Sequence, residues 1–576
     1  MTTDLYGNDG DKWNSKGVLL NYSYVGKLNG IPDTKTLQCL HTVNVRDYGA
    51  KGDSTTDDTQ AFKDAIEYAK AVVYIPDGTY VLKDRFLISK PLIIRGESMD
   101  NTILSFPSDL TDLFGNTYPK GRSQYAFGTN FFEFVGKNDG IELAKVTGHK
   151  NKGNNWIQCD STSNFKPGQW IKIIQKNNSS DDLDRILYGN DSTLYYGNSK
   201  MSAIVLNQIN EVKGTGFSLV YPLVMTINPD CDPRVYSHES QVCGLENLSF
   251  LGKDSKSGGH FEGTGNNFVL FKRVYKGYIN NVIFHNADIG LTLSDCISNT
   301  INNVRFTSKE ESGKRYGRRG HHGLWINGGG YNLISKFRFD CEFVHDISVE
   351  GCTVCNVFED GLGVNLNFDH HRAAPYGNLF TDINVGYGSR YYSSSGNPNR
   401  GAHSGQYTTF WGIRSNGVKL LGVPRSNKES RPFGVNINLI GEFKTSLDRN
   451  FYIESIDVLE PMNIYKDMKE NYFKGDQKFD DYKFEDAQVY FRSWDGEYCY
   501  WHVGKSWSRG DCDKSIKDQH LSYNHITKEL VYTKSGLYLD YNANPTSIPN
   551  KWNYDSGKVY HSESKKVIPL TLIKFH

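Results

Sequence analysis

One stretch in the second half of the chain combines acidic, imidazole and guanidinium side chains at close spacing. Its densest run is DHHR, made of Asp369, His370, His371 and Arg372, directly after the strand-like VNLNF. Neighbouring side chains of an extended strand point to opposite faces, so at most one of the two histidines should face a core. The other histidine, with Arg372, would then be available to a cleft. This run predicts a site for proton transfer beside a cationic group.

Further candidates flank this run on both sides. Glu359 and Asp360 precede it by about half of one repeat and could approach Asp369 in space. Cationic and aromatic candidates for ligand binding follow downstream: Arg390, Arg400, His403 and Trp411. The alternative interpretation is that DHHR closes a turn by hydrogen bonds while His403 caps a loop.

A second basic cluster lies in the glycine-rich segment GKRYGRRGHHG. It contributes Arg318, Arg319 and His322 as candidate binding residues. Arginine forks suit anionic ligands because they donate two parallel hydrogen bonds to a carboxylate. An equally open interpretation is a solvated surface loop or a contact between subunits.

Composition describes a folded protein with a polar surface. Hydrophobic residues make up 38% of the 576 residues and charged residues 23%, and the mean hydropathy is -0.55. Lysine plus arginine equal aspartate plus glutamate at 65 each, so no net charge draws the chain to nucleic acid or anionic lipid. No stretch reaches the roughly 18 apolar residues of a membrane span, and the first residues lack the pattern of a secretory signal.

Motifs for several other chemistries are missing from the sequence. It contains no phosphate-binding P-loop, HExxH pair, GxSxG elbow or EF-hand loop. We therefore expect no cofactor and no metal ion.

The segment from Val43 predicts one amphipathic helix followed by short strands. Asp57, Asp58 and Thr59 are suited to a helix start, and apolar residues follow at helical spacing at Ala61, Phe62, Ala65, Ile66 and Ala69. Strand-like runs punctuated by turn residues come next: AVVYIPDGTYVL, FLISKPLIIRGES and NTILSF.

This order resembles the opening of the pectate-lyase-like β-helix superfamily, in the form common in phage tailspikes and capsule depolymerases. The resemblance rests on DYGAKGD, a helix, a strand ending in PDGTY and a strand leading into RGES, from Val43 to Phe106. It implies an all-β chain that forms a single-stranded right-handed parallel β-helix, with the helix as an N-terminal cap. Such a cap is needed because an open solenoid end exposes apolar core and unpaired strand edges.

Periodicity further along the chain also predicts a solenoid. Short asparagine-rich strands recur around Val282, Val304, Ile326 and Ile347, at separations of 22, 22 and 21 residues. Later segments near Ile383, Ile413 and Ile437 are interpreted as further rungs with longer loops.

These patterns divide the chain into three parts. Residues 1–40 are predicted to be a head or attachment segment, and residues 41–450 a β-helix with an insertion around 121–233. Residues 451–576 are predicted to be a small β-rich module, either lectin-like or a trimer-forming cap.

The resemblance implies a polysaccharide depolymerase that acts outside the cell on bacterial capsule, as a homotrimer on a phage tail attached through residues 1–40. A hydrolase would use two of Glu359, Asp360 and Asp369, and this is the favoured interpretation. A secreted lyase would instead use His370 or His371 as base, with an arginine neutralising a uronate. The third alternative is a non-catalytic adhesin or fibre. The run from 359 to 411 also resembles secreted bacterial β-helix proteins of unassigned activity.

Overall fold

The computed structural model describes most of the chain up to residue 475. The described ranges are 2–26, 41–136, 140–238, 243–254, 261–308, 320–416, 433–441 and 451–475, with the backbone of short strands between 488 and 568. The chain divides into two compact units, Met1–Ile31 with Leu40–Tyr472, and Pro32–Cys39 with Phe473–His576. Among the described residues, no helix has the length and apolar character that a membrane crossing requires.

Strands dominate the first unit. Its strands are β1 (Thr42–Asn44), β2 (Asp53–Asp57), β3 (Val72–Ile75), β4 (Gly78–Val81), β5 (Phe86–Ile88), β6 (Ile93–Gly96), β7 (Thr102–Phe106), β8 (Phe132–Val135), β9 (Glu142–Lys145), β10 (Trp156–Gln158), β11 (Trp170–Lys176), β12 (Ser202–Lys213), β13 (Gly216–Leu219), β14 (Arg234–Ser237), β15 (Gly244–Gly252), β16 (Asn267–Lys272), β17 (Tyr278–His285), β18 (Ile289–Ile297), β19 (Thr300–Thr307), β20 (His322–Gly330), β21 (Leu333–Ser335), β22 (Arg338–Phe339), β23 (His345–Glu350), β24 (Val357–Gly363), β25 (Phe368–His370), β26 (Leu379–Asn384), β27 (Thr409–Arg414), β28 (Ile437–Gly441) and β29 (Phe451–Ser455). Its α-helices are α1 (Thr59–Tyr68), α2 (Leu110–Phe114), α3 (Asp182–Tyr188) and α4 (Ile464–Gly475), the last of which continues past the boundary between the units. Short 3-10 helices cover Val45–Tyr48, Gln124–Phe127, Ser192–Leu194, Pro229–Cys231 and Pro398–Arg400.

Two parallel sheets form the walls of a β-helix. The larger, 16-stranded sheet runs through β1, β3, β6, β15, β17, β19, β21, β24, β26, β27, β28 and β29, with β2, β4, β7 and β22 alongside. The seven-stranded sheet runs through β5, β8, β16, β18, β20, β23 and β25. Parallel strands that stack in chain order are the arrangement that the sequence predicts, and a crossover between parallel strands is almost always right-handed. The predicted all-β, right-handed parallel β-helix is confirmed.

Asparagine residues explain how the long strands of the larger sheet bend. Asn247, Asn281 and Asn303 have φ values of 56°, 55° and 51°, in the left-handed region that asparagine tolerates better than most residues. In β15, the part before Asn247 pairs with β6 and the part after it pairs with β7. The INNV motif thus places an asparagine at the bends of β17 and β19, and Asn247 occupies the same position in β15.

A second asparagine column lies inside the fold. Asn299, Asn332, Asn356 and Asn378 are fully buried, and each of the first three donates a side-chain hydrogen bond of 2.9 Å to the next. Buried amides need partners, and stacking supplies them from the neighbouring rung. Phenylalanine rings stack in the same way through the apolar interior.

The predicted capping helix is confirmed as α1. Ala61, Phe62, Ala65 and Ile66 are buried, and the Phe62 ring lies 5.4 Å from the Tyr80 ring. Asp58 stands at the helix start, but its carboxylate accepts hydrogen bonds from the Lys51 and Gly52 amides of the DYGAKGD turn. Its role is therefore to hold that turn.

The predicted register of the repeats is partly wrong. Val282 and Val304 are true register partners on the larger sheet, and so are Ile383 and Ile413. Ile326 instead lies in β20 of the seven-stranded sheet. The partner of Asn302 in the next rung of the larger sheet is Ser335. The chain between them is longer than in the preceding rung and includes β20 of the other sheet.

The insertion begins later than predicted. Phe132–Val135, inside the expected range of 121–233, pairs with β5 and β16 as part of the β-helix. The inserted element is a separate antiparallel sheet in the order β10, β13, β12, β11, β14, β9. The strand FEFV at Phe132–Val135 is therefore one rung of the β-helix and not part of the insertion.

The N-terminal residues are part of the first unit. Tyr6, Tyr22 and Tyr24 are buried, and the Gly26 amide donates to the Tyr331 carbonyl at 2.8 Å. The β-helix continues to Ser455, where β29 pairs in parallel with β28. The predicted head of residues 1–40 and the boundary at 450 therefore differ from the structure.

The second unit contains short antiparallel strands. They are β30 (Gln488–Val489), β31 (Leu521–Asn524), β32 (Glu529–Tyr532), β33 (Tyr538–Leu539), β34 (Pro545–Thr546), β35 (Trp552–Asp555), β36 (Lys558–His561) and β37 (Val567–Ile568). The first five form one sheet and the last three another. This unit is β-rich, as the composition predicts.

Candidate functional site

The outward face of the seven-stranded sheet collects polar side chains near its end. Trp325, Ser348 and Asp369 are register partners on β20, β23 and β25. Asn327 and Glu350 form the next row on the same face. The residues between these rows point inward to the apolar core, so strand alternation alone produces the polar face.

Asp369 is the centre of this polar face. Its Oδ2 lies 2.8 Å from His371 Nδ1 and 3.1 Å from His345 Nδ1, and it accepts a hydrogen bond of 3.1 Å from Ser348. Its Oδ1 accepts hydrogen bonds from the amide and the hydroxyl of Ser395. Asp369 is fully buried.

The pKa of Asp369 reflects these contacts. Burial alone would raise it, but the His371 hydrogen bond and the charge of both neighbouring histidines hold the pKa well below its usual range. The Asp369 carboxylate accepts hydrogen bonds from several donors and so orients the side chains of His371, His345 and Ser348. It is poorly suited to donate a proton.

The two adjacent histidines point in opposite directions, as strand geometry requires. His370 is buried against the Phe380, Phe410 and Phe433 rings, and burial lowers its pKa to about 4. The His371 side chain faces outward and is 18% exposed. His370 therefore belongs to the core, and His371 is the histidine available to a ligand.

The environment of His371 favours its protonated form. Burial lowers its pKa, but the hydrogen bond and charge of Asp369 outweigh burial, and the net shift is upward. Because Nδ1 is held by Asp369, Nε2 is the ring nitrogen directed to a ligand.

Glu350 and Arg400 lie beside His371. Glu350 accepts hydrogen bonds from Trp325 Nε1 at 3.0 Å and from Arg400 Nη1 at 2.7 Å. Arg400 was predicted to lie at the site, whereas Glu350, Ser348 and His345 were missed. Their signal was present in HDISVEG, where the outward positions of one strand are polar.

Arg372 and His403 hold the loop that follows β25. Arg372 is fully buried and donates to the carbonyls of Gly396 and Gly401 at 3.1 and 2.7 Å. Its Nη2 lies 3.3 Å from His403 Nε2, and His403 Nδ1 contacts the His370 carbonyl at 3.1 Å. For these two residues the structure matches the alternative interpretation, in which they close a turn.

Arg390 is also engaged by the protein. It donates to the carbonyls of Asn365 and Phe343, each at 2.9 Å, and pairs with the buried carboxylate of Asp346. It lies beneath the site as a structural residue.

Glu359 and Asp360 lie on the other sheet. Glu359 is buried in β24, where it accepts hydrogen bonds from Ser335 and Asn463 at 2.7 Å each. Asp360 has a φ of 53° and occupies a bend position, with its exposed side chain 3.3 Å from Lys466. The predicted pairing of these acids with Asp369 is not what the structure shows, because β24 belongs to the larger sheet and β25 to the seven-stranded sheet.

Of the remaining candidates, Trp411 lies away from the site, and His322 lies beside it, with its ring 6.3 Å from that of His371. Trp411 is fully buried and donates to the Pro461 carbonyl. Arg318 and Arg319 lie outside the described residues. His322 is buried on β20, with its ring stacked 4.5 Å from the Trp325 ring.

Among the residues that the structure describes, two overlapping groups of side chains could hold a metal ion. One is His321, His322 and His345; the other is His345, Asp369 and His371. In each group the candidate ligand atoms lie within 4.8 Å of one another. The sequence did not predict a metal site, because its histidines are too far apart along the chain to show a spacing motif.

A family model covers the opening of the chain. Residues 42–222 match the family described as rhamnogalacturonase A/epimerase, pectate lyase-like. This range contains the DYGAKGD turn, α1, the first rungs and most of the inserted sheet. The resemblance to pectate-lyase-like proteins is confirmed.

Curated relatives match shorter segments of the chain. A glucan 1,3-beta-glucosidase from Cochliobolus carbonum is 30% identical over 159 residues, which cover 24% of this chain and 19% of that protein. The pre-neck appendage protein of Bacillus phage phi29 is 38% identical over 64 residues, which cover 11% of this chain and 7% of that protein. The chain thus spans less than a fifth of either relative.

Solved structures include phage tailspikes. The tailspike protein gp49 from Pseudomonas phage LKA1 has a TM-score of 0.40 at 15% identity, covering 69% of this chain and 66% of that one. The Gp54 tailspike of Acinetobacter baumannii bacteriophage AP22 has a TM-score of 0.29 at 10% identity, covering 72% and 73%. These values are too low for a residue-by-residue comparison.

Proposed function

We propose that this protein is a polysaccharide depolymerase whose substrate lies along the outward face of the seven-stranded sheet. The observation that carries the proposal is the contact of 2.8 Å between Asp369 Oδ2 and His371 Nδ1 on that face. A buried carboxylate fixes the ring, so that the opposite nitrogen can exchange a proton with a ligand. His371 is the proposed proton-transfer residue, and Asp369 its positioning residue.

Two curated relatives support the type of substrate and the setting. One is named as a glucan glucosidase and another as a phage appendage protein. The proposal therefore includes a phage-tail setting in which the protein acts on capsule outside the cell. The homotrimer is part of the proposal on the tailspike resemblance of the sequence alone. A secreted enzyme is the alternative setting.

The site geometry favours β-elimination over hydrolysis. A two-carboxylate hydrolase needs one acid that can donate a proton. Asp369 accepts hydrogen bonds on both oxygens, Glu350 accepts one on each oxygen, and Glu359 lies on the other sheet. Elimination needs a base and a cation near a uronate. In the proposal, the neutral form of His371 is the base through Nε2, and Arg400, which is paired with Glu350, is the neighbouring cation.

The proposal is tested by screening the purified full chain against bacterial capsules and uronate-containing polysaccharides. Both reducing ends and the ultraviolet absorbance of unsaturated uronate are followed. Elimination gives both signals, whereas hydrolysis gives reducing ends alone and would overturn the elimination mechanism. A polysaccharide that binds without either signal would show an adhesin and overturn the proposal.

The His371→Gln variant should lose cleavage by about 10²- to 10⁴-fold, the usual contribution of a general acid or base. Its thermal midpoint should stay close to that of the wild type because the ring is partly exposed. The matched control is His149→Gln, an exposed histidine on the inserted sheet, which should keep full activity. Full activity in His371→Gln would rule out this assignment.

A further inference from the structure

We propose that His321, His322 and His345 bind one divalent transition-metal ion of the zinc type. Their candidate ligand atoms lie within 4.8 Å of one another, and all three residues are buried. This proposal goes beyond the depolymerase activity and does not depend on it. It concerns a site next to His371, and its test is metal binding.

The β-helix brings the three histidines together from two rungs. His322 and His345 are register partners on β20 and β23, and their ring centroids are 4.9 Å apart. His321 directly precedes β20, and its ring lies 4.1 Å from that of His322 and 5.3 Å from that of His345. Three imidazoles from adjacent rungs thus form one cluster.

Hydrogen bonds define which nitrogen of each ring carries the proton. His321 Nδ1 lies 2.7 Å from the Ala126 carbonyl oxygen, which can only accept, so Nδ1 is the donor. His345 Nδ1 lies 3.1 Å from Asp369 Oδ2, an ionised carboxylate that also only accepts. Both rings therefore direct the Nε2 lone pair away from these anchors.

The hydroxyl of Ser348 shows in the same way that the proton of His322 is on Nδ1. The Ser348 hydroxyl donates to Asp369 Oδ2, so its oxygen is left to accept from His322 Nδ1 at 3.0 Å. All three rings are anchored at Nδ1 by a carbonyl, a hydroxyl or a carboxylate. This is the outer-shell pattern that orients metal-binding histidines in proteins.

The second group is a weaker candidate because its ligand atoms already bind each other. Asp369 Oδ2 lies only 2.8 Å from His371 Nδ1 and 3.1 Å from His345 Nδ1, with protons between them. An ion there would have to displace those protons. The three-histidine cluster contains no carboxylate, and its imidazoles can ligate an ion as neutral rings.

Three neutral imidazoles select the class of ion. Imidazole suits Zn²⁺, Cu²⁺, Ni²⁺ and Fe²⁺, whereas Ca²⁺ and Mg²⁺ prefer oxygen ligands. Many zinc enzymes hold the ion with three protein ligands and leave the fourth position to a water or a substrate. Asp369 would then position both the His345 ligand and His371.

The experiment measures Zn²⁺ bound to the full chain after chelator treatment and dialysis, by elemental analysis and calorimetry. Co²⁺ is used as a second probe, since its visible absorption reports nitrogen ligation. We expect about one Zn²⁺ per chain. His322→Gln and His345→Gln should each weaken binding beyond the ~10- to 100-fold loss that an outer-shell change such as Ser348→Ala causes.

Two controls keep the test interpretable. His149→Gln should bind Zn²⁺ as the wild type does, and circular dichroism with thermal midpoints verifies that each variant is folded. Zn²⁺ binding that survives in His321→Gln and His322→Gln but is lost in His371→Gln would overturn the assignment in favour of the other group. A wild-type protein that binds no Zn²⁺ or Co²⁺ would overturn the proposal outright.

Discussion

Arg390 shows how a residue that suggests ligand binding in the sequence can be part of the scaffold. Its guanidinium donates to the carbonyls of Asn365, Phe343 and Val344 and pairs with Asp346. The side chain is only 11% exposed. Its guanidinium thus joins the segment before β25 to the segment before β23 and to β23 itself.

The Arg390→Ala variant should lose about 3–5 kcal/mol of unfolding free energy, because it leaves the buried Asp346 carboxylate without its cation. Arg414 is the matched control, since its pair with Asp382 is at the surface and its side chain is 43% exposed. Arg414→Ala should cost no more than about 1 kcal/mol. Urea unfolding of both variants measures the difference, and equal losses would contradict the structural role of Arg390.

At the scale of elements, the buried asparagine column joins one rung to the next. The Asn356 side-chain oxygen accepts from the amide and the side chain of Asn332, at 3.1 and 2.9 Å. The Asn356 amide and side-chain nitrogens donate to Asn378. One side chain therefore completes the hydrogen bonding of two turns.

Replacing Asn356 with Ala should cost about 2–5 kcal/mol, because two buried donors of Asn332 lose an acceptor at about 1–3 kcal/mol each. Asn302 is the control: it donates to Asn280 on the outer side of the strand and is partly exposed. Asn302→Ala should cost about 0.5 kcal/mol or less. If chemical unfolding finds both variants equally stable, the column does not stabilise the stack.

At the scale of the whole molecule, the N-terminal segment closes a second apolar core outside the β-helix. The Tyr24 ring stacks on the Tyr221 ring of the inserted sheet at 4.1 Å and on the Tyr331 ring of the β-helix at 5.7 Å. The Asn438 side chain donates to the Val18 carbonyl at 3.0 Å. The segment thus joins the insertion to the solenoid.

Deletion of residues 2–26 should lower the thermal midpoint by several degrees and increase binding of a hydrophobic dye. Each large buried side chain in the segment contributes roughly 1.5–3 kcal/mol through burial. The control is Asn8→Ala, an exposed position in the same segment, which should leave the midpoint unchanged. A truncated chain with the wild-type midpoint would contradict this structural role and favour the predicted head or attachment segment.

The sequence by itself determined the elements and the direction of their side chains. Helix α1 follows from apolar spacing, and the opposite orientation of His370 and His371 follows from strand alternation. Both depend on residues close together in the chain. For the same reason the general fold was predictable from repeated local patterns.

Only the tertiary structure decided which residues meet. His345 and Ser348 reach Asp369 across a rung, and Glu350 reaches Arg400 across a longer connection. The connections between strands differ in length. A constant spacing of 21 or 22 residues in the sequence therefore does not tell which of the two sheets a strand joins. Glu359 and Asp369 lie on different sheets although they are close in sequence, whereas His322 and His345 are register partners on adjacent rungs. Contacts in a solenoid depend on the rung and the face rather than on distance along the chain.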